Sequence, residues 1–488
     1  MLKSENLNSK WKRVLLIKPN YKELDAYMYC IKINFPPINL AFIASYLLDL
    51  GIDVEIIDAK VRNFNYKKLE RKIRKFKPDL VGISVFVTAV MNECFKIAKI
   101  IKQIDPKITV VFGGRHPTFD SEQILKRNEV DIIVRGEGEI TFRELITKGN
   151  PHNVEGISYR TNGIILHNPD RQLMDYSDAR LPARYLYNRN KYRAYTVRLE
   201  TLESSRGCPY SCKFCITPNF YKRSWRSRPI EKIITELKIL SKNRRISDIF
   251  FVDDNLTANT KRVEYLCEKI IESKKKNEIR DFKFFAQIRV DSIVKSPQMI
   301  KKMAKAGFWV VLIGIETVFE DALKDVRKNV SFQTVLDAIK ILHRNDIFVV
   351  GSMIIGVNLH EEEEDIKKEI EFMSNIDIDI VTFSILTPFP GTSTFHELEE
   401  KGLLITKDWS KYTITNPVIK TNKLSPKKLS ELLLFSFQKI KYFNNIKESL
   451  LRLIRRRGIL FTLNPIRIAS MIKASIKIRI FFRTLRIK

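Results

Sequence analysis

At 488 residues, 44% of them hydrophobic, the chain has the size and composition of a globular protein of two or three domains, each large enough for its own core. Its net charge of +30, from 86 Lys or Arg against 56 Asp or Glu, implies an anionic partner: nucleic acid, a membrane or an acidic substrate. Six cysteines, three of them clustered, read as metal ligation rather than a disulfide framework, and the polar residues 1–13 with a short apolar run at 14–17 do not read as a secretory signal.

Arg13-Val14-Leu15-Leu16-Ile17, ended by Lys18-Pro19-Asn20, reads as a buried parallel strand. Helical periodicity over 40–50, closed by Gly51, leads to a second strand at 53–58. A basic helix over 66–77, a strand at 80–84, a helix over 91–104 and strands at 109–112 and 132–134 follow. This alternation predicts a doubly wound, Rossmann-like α/β domain over residues 12–150, with its ligand crevice at the carboxyl ends of the strands. Ser84, Gly113-Gly114-Arg115-His116-Pro117-Thr118 and Gly136-Glu137-Gly138-Glu139 fall at or near those ends. Glycine there lets backbone approach a flat ligand closely, although each pair taken alone reads first as a turn. Residues 151–199 read as an irregular linker, with a turn at Thr161-Asn162-Gly163 and a short strand at 164–166.

Over residues 200–400 strand and helix alternate again. Six strands, at 198–202, 248–252, 283–289, 309–316, 348–355 and 380–386, predict an incomplete (β/α)6 barrel whose open side takes the substrate. The first strand delivers Arg206-Gly207-Cys208-Pro209-Tyr210-Ser211-Cys212-Lys213-Phe214-Cys215 at its carboxyl end, where barrels carry catalytic loops. Thiolate is a soft ligand suited to zinc, copper(I) or iron–sulfur clusters. A zinc site or an ordinary [4Fe–4S] centre wants four protein ligands, yet Cys30, Cys94 and Cys267 lie far from the trio. Three thiolates leave one iron open to an exogenous ligand; the plainer alternative is a buried cysteine cluster or an incomplete zinc knuckle.

Cys208-x3-Cys212-x-Phe214-Cys215 resembles the signature of radical S-adenosylmethionine enzymes, and the likeness extends over most of residues 12–400. The resemblance implies a [4Fe–4S] cluster on Cys208, Cys212 and Cys215. Its open iron would take the amino and carboxylate groups of S-adenosylmethionine, whose reductive cleavage gives a 5′-deoxyadenosyl radical. It further implies that Asp253, in Asp253-Asp254-Asn255, reaches the cofactor amine. Arg289 of Arg289-Val290-Asp291 would reach its carboxylate, Glu316 its ribose or amine, and the strand around Gly351 its adenine. The ordered glycine landmarks of the first domain resemble the cobalamin-binding domain found ahead of such barrels, with the corrin on the strand ends. The Asp-x-His-x-x-Gly motif is absent, which implies a cobalt without a histidine ligand; His116 either contacts the cofactor or caps a loop.

Residues 401–488 form a basic helical region, in which residues 425–488 carry sixteen Lys or Arg against two Glu. Ile468, Ile472, Ile476 and Ile480 repeat at i, i+4, interrupted by charges too often for a transmembrane span. A basic amphipathic helix suits peripheral contact with a membrane interface; packing on the chain's own barrel is the second reading, and nucleic-acid contact the third, since no RNA-binding fold is legible. The expectation is a cytoplasmic, membrane-peripheral enzyme fed by a ferredoxin- or flavodoxin-type electron donor, methylating an unactivated carbon of a small-molecule or lipid-like substrate. Ring closure, oxidation or carbon–carbon coupling without methyl transfer, and a non-catalytic cobalamin or redox sensor, are the alternatives.

Overall fold

The computed structural model describes residues 9–20, 34–61, 65–194, 197–439 and 446–465, built around two seven-stranded sheets. The first begins with β1 (Arg13–Lys18), β2 (Asp53–Asp58), β3 (Leu80–Ser84), β4 (Thr109–Gly113) and β5 (Ile132–Val134), all parallel in the order β2-β1-β3-β4-β5. These strands are short apolar runs because both faces are covered, as a parallel sheet requires. Helices Ile38–Leu48 and Gly138–Lys148 pack on one face, and Tyr66–Phe76 and Met91–Ile104 on the other. The strand order reverses between β1 and β3, so the ligand crevice of a doubly wound sheet falls at their carboxyl ends.

Part of the expected linker belongs to this sheet. β6 (Ile157–Thr161) pairs antiparallel with β5, and β7 (Ile164–His167) pairs antiparallel with β6. The turn between them consists of Asn162 and Gly163, both at positive φ (49° and 78°), a two-residue hairpin whose twist matches its strands. The first sheet therefore extends to His167, beyond the expected boundary at 150.

The second sheet starts with β8 (Arg193–Ala194) and β9 (Val197–Leu202), the latter running back into the expected linker. A small antiparallel ribbon, β10 (Ser205–Gly207) and β11 (Trp225–Ser227), intervenes. Then come β12 (Asp248–Phe251), β13 (Lys283–Ile288), β14 (Phe308–Glu316), β15 (Phe348–Ile355) and β16 (Ile380–Ile385). From β9 to β16 the six long strands are parallel neighbours in sequence order, and no pairing between β9 and β16 closes the sheet. This is the partial barrel expected, with helices over its outer face and a continuous apolar core between.

The described part of the basic C-terminal region packs on the barrel. Helix Ile446–Arg457 lies under the amino ends of the strands, where Arg452 and Ser449 bond Asp379, Arg455 bonds Asp346 and Arg457 bonds Asp248. Its four arginines all bond internal partners. The isoleucine ladder expected over 468–480 lies outside the described residues, and no described helix is long and apolar enough to cross a membrane.

Candidate active site

The cysteine loop leaves the β10–β11 ribbon through Gly207, at φ +85°; a Cβ there would collide with the carbonyl of Ser224, just ahead of β11, so only glycine fits. The loop is pinned from two sides: Lys213 N–H donates to the Val326 carbonyl (3.0 Å), and Thr394 N–H donates to the Lys213 carbonyl (3.2 Å). Phe214 packs on the barrel core between these contacts. Cys208, Cys212 and Cys215 are half-buried free thiols, whereas Cys94 and Cys267 are spent in the two cores. Burial pushes the Cys215 thiol up to about 11 and raises Cys208, so a metal would have to displace both protons. Nitrogen donors already face the sulfurs: Asn255 Nδ2 lies 3.8 Å from Cys208 Sγ and Arg289 Nη1 lies 4.0 Å from Cys212 Sγ. Among the described residues no three His, Cys, Asp or Glu are grouped to hold a single metal ion. Thiolates that each bind a different corner of a cluster are spaced more widely than that, and three free thiols with N–H donors around them fit such a group.

At the end of β12 the neighbouring acids divide their roles differently from the expectation. Asp253 turns inward, is 1% exposed, and accepts from Ser204 N (3.0 Å), Ser204 Oγ (2.7 Å) and Ser205 Oγ. Burial raises its carboxyl above the usual range. It holds the strand-to-loop turn, and its neighbours face the cysteine loop. Asp254 accepts from Gly207 N (3.3 Å), Thr217 Oγ1 (3.0 Å) and Arg115 Nη2 (2.6 Å), while Asn255 faces Cys208.

Arg289, at the end of β13, lays its guanidinium over the Tyr210 ring at 3.5 Å and forks onto Asp291 (3.1 Å), which keeps the Asp291 carboxyl below its ordinary range despite burial. Glu316 ends β14 at a bulge with φ +70°, a strained conformation for a side chain of its kind, and pairs with the ammonium of Lys328. Lys328 also donates to the Gly314 carbonyl (2.9 Å); nothing in its sequence context marked it. Gly351 is a packing position, since a Cβ there would meet Ile315 and Ile378 at 2.7 Å.

In the first domain the expected residues do gather at the strand ends, but several face the barrel. Ser84 Oγ accepts from Asn39 (2.8 Å) at the end of β3. Gly113 ends β4 and Gly114 follows at φ +122°, where a Cβ would collide with the Val85 carbonyl. His116 is 1% exposed, with Nδ1 bonded to Thr88 Oγ1 (3.3 Å), Nε2 lying 3.3 Å from Asp120 Oδ2 without a hydrogen bond, and the ring set edge-on against Trp409. Glu137 accepts from Arg206 (3.1 Å), Arg226 (2.9 Å) and Met174 N (3.1 Å), and Arg206 reaches Glu139 as well (2.6 Å). Arginine keeps the Glu137 carboxyl low against the effect of burial. Glu137 thus clamps the first domain to the ribbon that carries the cysteine loop. Gly136, at φ +71°, has open space where a Cβ would stand, and Ser84 and Gly113 add little bulk at their strand ends, which suits the approach of a flat cofactor.

A doubly wound domain thus abuts, by its strand ends, a three-cysteine loop at the mouth of an open six-stranded barrel. The B12 binding domain family matches residues 25–146 and the Radical SAM superfamily matches residues 202–373. The chain is 34% identical over 427 residues to an uncharacterized methyltransferase of Pyrococcus horikoshii, covering 86% of this chain and 90% of that protein, and it belongs to that family. It is 28% identical over 441 residues (88% and 77%) to the anaerobic magnesium-protoporphyrin IX monomethyl ester cyclase of Rubrivivax gelatinosus. It is 27% identical over 410 residues (82% and 75%) to the hopanoid C-3 methylase of Methylococcus capsulatus. Among solved structures, the radical S-adenosylmethionine methyltransferase TsrM from Kitasatospora setae superposes with a TM-score of 0.71 at 16% identity, over 95% of this chain and 99% of that one. The cobalamin-dependent enzyme OxsB gives 0.71 at 19% identity, over 98% and 80%. At these identities the two structures speak to the fold.

Proposed function

We propose that this chain is a cobalamin-dependent radical S-adenosylmethionine methyltransferase that methylates an unactivated carbon of a small, lipid-like molecule. The observation that carries this reading is the apposition of the two strand-end faces. Arg115 to Asp254, and Arg206 and Arg226 to Glu137, join the carboxyl ends of β4 and β5 directly to the cysteine loop and its ribbon. Cofactors held on the two faces would sit across a short gap, as a reaction that needs both at one carbon demands.

Cys208, Cys212 and Cys215 would hold the [4Fe–4S] cluster, with Asn255 and Arg289 donating toward its sulfurs. Arg289 and Glu316, at adjacent strand ends, would orient the charged end of S-adenosylmethionine. Ser84, Gly113 and Gly136 would give the cobalamin a flat seat. When bound, these groups supply the one-electron chemistry and the methyl group; the protein supplies placement and exclusion of water. An electron donor of ferredoxin or flavodoxin type would feed the cluster.

The lipid-like acceptor is supported by the similarity to a hopanoid methylase and by exposed apolar side chains at Leu450, Leu451, Ile459 and Leu463, just ahead of residues 466–488, which carry seven basic residues and no acid. That end suits peripheral contact with an anionic membrane. The similarity to a cyclase favours one second reading, ring closure without methyl transfer. Anaerobic incubation of the reconstituted enzyme with methyl-labelled S-adenosylmethionine and fractionated lipid extract separates the two. Label in a carbon-bound methyl group of a product supports methylation; 5′-deoxyadenosine released beside an unlabelled, oxidised product sinks it in favour of cyclisation.

A further inference from the structure

The short helix Arg115–Phe119, which follows Gly113-Gly114 at the end of β4, is where the first domain enters the second. Three of its five residues dock on the barrel domain. Arg115 donates to Asp254, His116 stands against Trp409 with ring centroids 4.8 Å apart, and the Phe119 ring occupies the space that Gly391 leaves. Gly391 is at φ +86°, and a Cβ there would collide with that ring; its carbonyl accepts from Asn219 Nδ2 (2.6 Å), four residues beyond Cys215.

The Arg115 contact reaches furthest into the site. Asp254 binds Gly207 N, one residue before Cys208, and Thr217 Oγ1, two residues after Cys215. One carboxylate therefore holds both ends of the cysteine loop, and a guanidinium from the other domain holds that carboxylate at 2.6 Å, its planar group lying over the Phe220 ring of the segment that follows the loop.

We propose that Arg115 is a positioning residue through which the first domain fixes both the place and the electrostatic setting of the cysteine loop. This rests on the reading that Cys208, Cys212 and Cys215 hold an iron–sulfur cluster. One-electron reduction makes such a cluster more negative, so a cation at the loop favours the reduced state and an anion disfavours it. The pair is near neutral as built, and removing one partner unmasks the other.

The test is a redox titration of the full-length, cluster-reconstituted chain, followed by electron paramagnetic resonance without S-adenosylmethionine or cobalamin. The expected result is a midpoint potential shifted down in Arg115→Met, shifted up in Asp254→Asn, and close to the unsubstituted protein in Arg115→Lys. Loss of packing alone would admit water to the loop in both variants and move both potentials the same way. Same-sign shifts, or no shift in either, would therefore overturn the proposal. If Arg115→Met fails to assemble a cluster, the near-isosteric Asp254→Asn and charge-keeping Arg115→Lys carry the same comparison. A cluster signal in the unsubstituted protein with unmoved variants overturns this proposal alone; no cluster signal at all overturns the underlying reading with it.

Discussion

The two ends of the barrel are both rich in charge, and they use it in opposite ways. At the amino ends of the strands every acid that helix Ile446–Arg457 approaches is answered. Asp379, fully buried, accepts from His343 Nε2 (3.0 Å), Val349 N (2.8 Å), Ser449 Oγ and Arg452. Against burial, His343 and the other donors hold its carboxyl below the ordinary range. At the carboxyl ends the thiols and one acid are left less complete. Cys208 and Cys212 keep long contacts from N–H donors, Glu316 is strained, and Glu361, in the loop after β15, is 6% exposed with Oε1 unpartnered. Burial and neighbouring acids push Glu361 up to about 8. One end of the barrel is wired for stability and the other is held ready for ligands, a division familiar in β/α barrels.

The largest effect that would sharpen this contrast is at the open end. Replacing Cys212 with Ser should abolish the iron–sulfur absorption after reconstitution and bring 5′-deoxyadenosine formation to background, while the thermal midpoint of the apoprotein barely moves. A variant that kept its cluster would break the comparison.

At the closed end the order reverses. Arg452→Ala strips a buried cation from Asp379 and should cost about 3–5 kcal/mol in denaturant unfolding, yet leave the cluster signal per folded molecule unchanged. Loss of cluster in the folded fraction would show that the two ends are not separable.

Glu361→Gln should act through pH. Burial has raised this carboxyl above its unfolded value of 4.5, so the folded state binds its proton more tightly. Its contribution is complete below about 4.5 and is lost as pH rises through about 8. The variant should match the natural protein at pH 5 and exceed it by about 1–3 kcal/mol at pH 8.5. Equal stabilities at both pH values would remove Glu361 from the contrast. Asp379 has the opposite sign: its stabilisation is present above the ordinary carboxylate range and falls away on acidification.

Arg289→Lys keeps charge but loses the planar fork and its stacking on Tyr210, and should weaken S-adenosylmethionine binding about tenfold, near 1.4 kcal/mol, measured by equilibrium dialysis on the cluster-loaded protein. The smallest effect belongs to truncation after residue 465, which should leave cluster content and stability alone and reduce sedimentation with anionic liposomes. Unchanged sedimentation would leave the basic C-terminus without a membrane role.

Much of this contrast was legible in the amino-acid sequence, and the remainder was not for a common reason. Strand and helix alternation located all six barrel strands, because period and burial are local properties. The cysteine spacing is local in the same way, and it placed the three thiols on one loop at the mouth of the barrel. What escaped were pairings across distance: Arg115 with Asp254, 139 residues apart, and Arg457 with Asp248, 209 apart. The resemblance points to Asp253, and nothing local says that its side chain turns inward to Ser204 and Ser205 while Asp254 reaches Gly207 N. The C-terminal arginines read first as a membrane-facing charge because their acids lie on other elements. The β6–β7 hairpin was visible as a turn at Asn162-Gly163, but nothing local said which sheet edge it would extend.

The most direct test of the apposed-cofactor account is anaerobic purification with cobalamin supplied, followed by iron and corrinoid content per chain and the fate of methyl-labelled S-adenosylmethionine. The account predicts about four irons and one corrinoid per chain, with label recovered on the protein-bound corrinoid. Deoxyadenosine formed by a chain that binds iron but neither retains nor labels a corrinoid would contradict it, and would leave the first domain as a scaffold for the barrel.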